Sequence, residues 1–379
     1  LFILISLGFT APAKAENINY EYLDARVKLL MQRDDMMGLA IAVVENGELT
    51  FAKGYGTIHK DGPPVTTDTR FRWASVSKGL AGSLAAQLAD EGLISMHDPV
   101  SQYTTTLKLP GLGTDKATLE HLLSHRLGLI SNAYDTRLED GRQPSAIRAS
   151  LGELNLICPV GECHGYQNVA FDTISEVFKD VTGSYFGDLA KRRVFGPLGM
   201  NSAETTLTGF RKDNNFARPY SWSRSRGALQ QATLSQSYFR VASAGGVSSS
   251  ILDLAKYMQA NMGKHPSVFS ENALDLAHTP YVETLRELRG MQRRYESFKT
   301  AEYGLRWRIY DYEGHTVVGH RGGVRGYRAL ILFDPKRETG VVAMWNAGMG
   351  RPVGLQFEVM DMVYGLPKRD WMRLMPEEG

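Results

Sequence analysis

The sequence predicts an α+β fold in which strands from both chain ends build one antiparallel sheet, with helices flanking it and a mainly helical part inserted between the ends. Three observations predict this: a hairpin signature near the amino end, several strand-like runs near the carboxyl end, and helix-period patterning between them. Leu39-Ala40-Ile41-Ala42-Val43-Val44 is followed by Glu45-Asn46-Gly47-Glu48 and by Leu49-Thr50-Phe51-Ala52, which reads as a β-hairpin closed by an Asn-Gly turn. Leu80, Leu84 and Leu88 then form one helical stripe that ends at Gly92. A second helical stretch spans residues 171–178. At Ser250 a hydroxyl can cap a third helix, with Asp253 in its first turn, running through Ile251, Leu254, Ala255 and Met258 to Gly263. Strands return over residues 305–310, 315–318, 327–333 and 340–345, and a helix over about 353–363 covers one face of the sheet.

With 379 residues the chain suits one large unit of two interlocked subdomains. The sheet part takes about residues 16–80 and 300–379, and the helical part about 81–299. A cleft where two such parts meet is a common place for a small-molecule site. The composition is 43% hydrophobic and 22% charged, with 43 Lys and Arg against 41 Asp and Glu, which argues against nucleic acid or a membrane surface as partner. Leu1 to Phe9 is apolar and is followed by Ala13-Lys14-Ala15, so residues 1–15 read as the remnant of a secretory signal. The expected location is therefore the periplasm or the exterior, without stable membrane insertion, since no later run approaches about 18 apolar residues. In an oxidising compartment Cys158 and Cys163 favour a short-loop disulfide over two free thiols, and the pair supplies too few ligands for a metal.

Three short constellations carry chemistry. In Ser75-Val76-Ser77-Lys78 the three-residue spacing at a helix start brings the hydroxyl and the amine to one face, close enough for proton transfer. Tyr166-Gln167-Asn168 follows the cysteine loop; its phenol can relay a proton and its amide can hold a substrate carbonyl or the Lys78 ammonium. His320-Arg321-Gly322-Gly323 falls between two strands, where glycines let a substrate lie along a strand edge and where the Gly323 N–H can join that of Ser75 as an oxyanion hole. Each alone has an ordinary reading: a capping serine with a solvated lysine, a buried tyrosine, a strand-end turn. Together, in one order on a helix start, a loop and a strand edge, they point to nucleophilic catalysis by serine.

On these residues the chain resembles the penicillin-recognising serine hydrolases, which include class C β-lactamases, D,D-peptidases, D-aminopeptidases and related esterases. Their S-x-x-K, Y-x-N and K/H-x-G boxes match Ser75-Lys78, Tyr166-Asn168 and His320-Gly322. Phe71-Arg72-Trp73-Ala74, Leu119-Glu120-His121-Leu122-Leu123-Ser124-His125 and Ala244-Gly245-Gly246-Val247 extend the likeness over nearly the whole chain. The resemblance implies a β-lactamase-like fold, no metal and no organic cofactor. It also implies Ser75 as nucleophile, Lys78 as base partner, Tyr166 as proton relay, Asn168 as substrate-side hydrogen bonder and His320 as the third-box electrostatic group. His320 departs from the lysine usual in class C β-lactamases, and a neutral imidazole gives a weaker, pH-dependent field for a substrate carboxylate.

Arg321 and Arg325 flank the box, and either could grip a peptide carboxylate bidentately or be an ordinary strand-end arginine. His121 and His125 stand four apart with no third ligand and read as packing and hydrogen-bonding residues. Arg286, Arg289, Arg293 and Arg294 read as a solvated helix or cleft rim, because Glu283 and Glu287 accompany them. The expected activity is cleavage of a peptide or amide, including peptides with D-residues or of the linearised-microcystin type. The alternatives are a class C-like β-lactamase or penicillin-binding enzyme, a carboxylesterase, and a non-catalytic binding or sensor protein. The intact Ser75, Lys78 and Tyr166 argue against the last.

Overall fold

The computed structural model describes residues 18–293 and 297–375. The segment read as an export signal lies outside the described residues, as does Arg294.

Eight strands form the main sheet: β1 (Gly38–Glu45), β2 (Glu48–Gly56), β3 (Val282–Glu283), β4 (Phe298–Tyr303), β5 (Arg308–Tyr312), β6 (His315–Val324), β7 (Tyr327–Asp334) and β8 (Thr339–Trp345). Their order is β2-β1-β8-β7-β6-β5-β4-β3, every pairing antiparallel, so the two chain ends meet where β1 pairs with β8. The β1–β2 hairpin turns at Asn46 (φ 53°) and Gly47 (φ 80°), the two left-handed residues that an Asn-Gly turn supplies at little cost.

Strand alternation divides the core into two layers. Leu39, Ile41 and Val43 of β1 face α1 (Tyr20–Met31) and the carboxyl-terminal helix α6 (Leu355–Val363). Ala40, Ala42 and Val44 face the other way, toward α2 (Ser77–Asp90) and α4 (Ile251–Asn261), with α3 (Thr173–Thr182) beyond. Leu80, Leu84 and Leu88 of α2 are fully buried there, and the Ser250 hydroxyl accepts from the Asp253 N–H at 3.3 Å as its sequence position predicts.

Three differences from the sequence reading have physical causes. The strand expected over 305–310 begins only at Arg308, because Arg306 sits at φ 111° and the Gly304 N–H donates to Trp307 O, closing a turn. Strand β4 was not anticipated; a register shift between Phe298 and Thr300 breaks its alternation. The strand expected over 315–318 continues to Val324, so the His320 box lies inside β6 rather than at its end. Helix α1, capped by Asn19 and burying Leu23, Val27 and Leu30, was also missed.

Candidate active site

Ser75 stands on a single 3₁₀ turn, Ala74–Val76, that feeds directly into α2. The preceding Ala74 has φ 49°, a left-handed conformation that costs a non-glycine residue ~1–2 kcal/mol. The turn is held from both sides. Trp73 N–H donates to Val247 O at 2.9 Å, its indole Nε1–H donates to Ser249 Oγ at 2.8 Å, and Ser77 Oγ accepts from Val247 N–H at 3.0 Å. Ser75 itself is half-buried, and its hydroxyl has no hydrogen-bond partner among the described residues.

Lys78, three residues on, is fully buried. Its Nζ donates to Asn168 Oδ1 at 2.6 Å and to Ala244 O at 2.9 Å, and lies 4.7 Å from the centroid of the Tyr166 ring. With two directions of the amine so engaged, the remaining one is left for a group in the cleft. Asn168 is oriented from behind: its Nδ2 donates to Asp135 Oδ2 at 2.6 Å. Burial pushes the Asp135 carboxyl above the usual range. The loop that carries Tyr166 is tied to the segment after the helical box, through Gly165 N–H to His125 O at 2.9 Å and Asn132 N–H to Tyr166 O at 2.7 Å. Just before it, Cys158 and Cys163 form a disulfide. The first two boxes therefore converge on one amine, as their sequence positions suggested.

The third box reaches the same place. A methyl group on Gly322 would come within 2.2 Å of Trp73 O and 3.0 Å of Ser75 N, so only glycine lets β6 lie against the Ser75 turn. Strand β5 pairs with β6 only as far as Gly319, which leaves the His320–Val324 stretch of that edge without a β5 partner. His320 is buried, and burial, then the charges of Arg308 and Lys78, hold its imidazole well below the ordinary histidine range. It is neutral. Arg325 is exposed at the mouth of a cleft of ≈ 720 Å³ lined also by Glu139, Trp222, Tyr238 and Gly323.

Arg321 does not point into that cleft. One position from His320 on a strand, it leaves the opposite way and pairs with Glu287 of α5 (Leu285–Gln292). Arg308 pairs with the same carboxylate, and Tyr310 donates to it at 2.6 Å. Two guanidiniums thus share one carboxylate, leaving a net positive charge beside the third box. Neither Arg308 nor Tyr303 belongs to a sequence motif; they stand on either side of the turn closed by Gly304 N–H to Trp307 O. His125, which reads as a packing and hydrogen-bonding residue, lies with its ring 4.3 Å from that of Tyr166 and accepts from Gln167 N–H at 3.2 Å, on a backbone at φ 61°. His121 does serve locally: its Nδ1 accepts from Thr118 N–H at 3.3 Å in a capping box. Among the described residues no group of three or more His, Cys, Asp or Glu side chains could hold a metal ion, and no helix is long and apolar enough to cross a membrane.

Comparison with known proteins gives the family and the fold. The Beta-lactamase family matches residues 23–355. The unguisins hydrolase of Aspergillus campestris (strain IBT 28561) is 26% identical over 331 residues, covering 84% of this chain but 60% of its own length. A β-lactamase of Pseudomonas fluorescens is 26% identical over 373 residues, covering 86% of this chain and 93% of its own. Among solved structures, the octameric penicillin-binding protein homologue from Pyrococcus abyssi superposes with a TM-score of 0.81 at 24% identity, over 93% of this chain and 79% of that one. A class C β-lactamase mutant gives a TM-score of 0.72 at 20% identity, over 90% of this chain and 96% of that one.

Proposed function

The chain belongs to the β-lactamase family of serine hydrolases, and from that premise we propose that it cleaves a peptide or amide bond through an acyl-enzyme on Ser75, outside the cytoplasm. The observation that carries the reading is the convergence of three boxes on one point. The Lys78 amine is held by Asn168 beneath the Tyr166 ring, and Gly322 lies against the Ser75 amide. Ser75 Oγ attacks the carbonyl carbon and gives its proton to the Lys78–Tyr166 pair. The carbonyl oxygen takes up the negative charge between the Ser75 and Gly323 N–H groups. The C–N bond breaks as Tyr166 delivers a proton to the leaving amine, and water, activated by the same pair, releases the acid and restores Ser75. Asn168 holds the amine and the substrate side of the cleft.

The positive charge of the third box is not on His320, which is neutral. It resides on the Arg308–Arg321 pair held by Glu287, with Arg325 farther out. This favours peptides over β-lactams whose carboxylate needs a lysine at the box. The Cys158–Cys163 disulfide supports export to an oxidising compartment. A second reading, a class C-like β-lactamase, is favoured by the Pseudomonas fluorescens relative, which this chain matches over nearly its full length. The unguisins hydrolases extend well beyond the part matched here.

The discriminating experiment is a turnover panel: D-residue peptides, linearised microcystin-type peptides, nitrocefin-like β-lactams and p-nitrophenyl esters, each with Ser75→Ala as control. Serine-dependent peptide cleavage far above lactam cleavage is the expected result; lactam turnover exceeding peptide turnover would replace the first reading with the second.

A further inference from the structure

Behind Tyr166 lies a chain of hydrogen bonds that the catalytic steps do not use. Gln167 N–H donates to His125 Nδ1 at 3.2 Å, so that nitrogen is bare and, in a neutral ring, the proton is on Nε2. His125 Nε2 stands 3.2 Å from Tyr303 Oη and therefore donates to it. Tyr303 Oη is also 3.0 Å from His320 Nε2, while His320 Nδ1 is 2.8 Å from Arg321 O. A carbonyl only accepts, so His320 carries its proton on Nδ1 and its Nε2 accepts from the Tyr303 hydroxyl. Every donor and acceptor is fixed, from an amide N–H of the second box to a carbonyl of the third. Neither end titrates, so the chain cannot conduct a proton.

We infer that Tyr303 is a positioning residue that locks His125 and His320 in opposite neutral tautomers and so sets the spacing between the Tyr166 loop and the substrate-binding edge of β6. His125, Tyr303 and His320 are all buried. Removing the Tyr303 hydroxyl strands one buried donor, His125 Nε2–H, and one buried acceptor, His320 Nε2. The charges acting on the two rings are those of Lys78, Arg308 and Arg321, with His164 beside His125 and Tyr166 packed against both; each cation disfavours protonation. A consequence follows for recognition: His320 spends both ring nitrogens inside the protein and offers no N–H to a substrate.

The role in catalysis rests on the proposed hydrolase reading, but the tautomers do not, and they provide the test. Long-range ¹⁵N–¹H correlation spectra of the full chain labelled at histidine should show His125 protonated on Nε2 and His320 on Nδ1, both unchanged from pH 8 to pH 5. Tyr303→Phe should release the His320 tautomer and lower kcat about 10- to 100-fold, with KM moving much less. Spectra with either ring in the other tautomer, or titrating near 6.5, overturn the proposal even if Tyr303→Phe does not fold. A folded Tyr303→Phe protein with unchanged imidazole signals and unchanged kcat overturns it as well. Loss of Ser75-dependent turnover in every substrate class would defeat the hydrolase reading and leave the spectra to judge this one.

Discussion

Gly322→Ala is the sharpest single perturbation of the proposed catalytic geometry. The new Cβ would stand 2.2 Å from Trp73 O, whereas ordinary contact begins at 3.4 Å, so strand β6 and the Ser75 turn must part by about 1.2 Å. Neither side yields easily. The turn is bonded to Val247 and Ser249, and β6 is bonded to β7 through Val324. The displacement falls on the gap between the Ser75 and Gly323 N–H groups, where ~1 Å of misplacement costs about 10²-fold in rate. The stability loss should be about 1–3 kcal/mol, the usual cost of overpacking. The assay is p-nitrophenyl ester and peptide turnover, with urea unfolding on the same samples. A Gly322→Ala enzyme at wild-type kcat/KM would refute the close-approach argument.

Other expected outcomes concern neighbouring groups. Ser75→Ala should abolish turnover while shifting unfolding free energy by less than about 1 kcal/mol, since the side chain is half-buried and unbonded; persistence of substrate cleavage would remove Ser75 from the mechanism. Tyr166→Phe should slow turnover about 10²- to 10⁴-fold with substrate still bound, as read by competition binding, and an unchanged rate would take the phenol out of the proton path. Stability should fall with acid. Burial holds His125 and His320 well below the ordinary range and His164 at about 4, so unfolding lets them take up protons near 6.5 that the folded protein refuses. Their stabilising contribution is therefore complete above pH 6.5 and declines as pH drops from there, by about 1.4 kcal/mol per unit for each imidazole. Urea midpoints that stay flat between pH 7 and pH 5 would contradict the burial of these rings in neutral form.

Much of this architecture is written locally in the chain. Asn46-Gly47 names its turn, Ser250 its helix cap, and the Leu80–Leu84–Leu88 stripe the helix that carries Lys78, because each depends on residues within a few positions. The three boxes are equally local, and the structure brings Lys78 to Asn168 and Gly322 to Ser75. What stayed hidden depends on contacts between distant segments. In a linear reading Arg321 is either a cleft cation or an ordinary strand-end arginine, but strand alternation turns it toward Glu287 on a helix more than 30 positions earlier. Tyr303 carries no motif at all. Its role appears only when the turn at Arg306 folds β4 back beside β5 and sets its hydroxyl between two imidazoles. Strand β4 itself was obscured by an irregular register, and the glycines inside β6 looked like a strand end while serving as the place where another backbone comes close.

The central claim is that chemistry proceeds through a covalent bond to Ser75. Rapid-quench mass spectrometry of the intact protein during turnover of a slow peptide or ester, followed by peptide mapping, tests it directly. The account predicts a transient acyl mass on the peptide containing Ser75, absent in Ser75→Ala; turnover with no adduct there, or an adduct that survives the Ser75→Ala substitution, would contradict it.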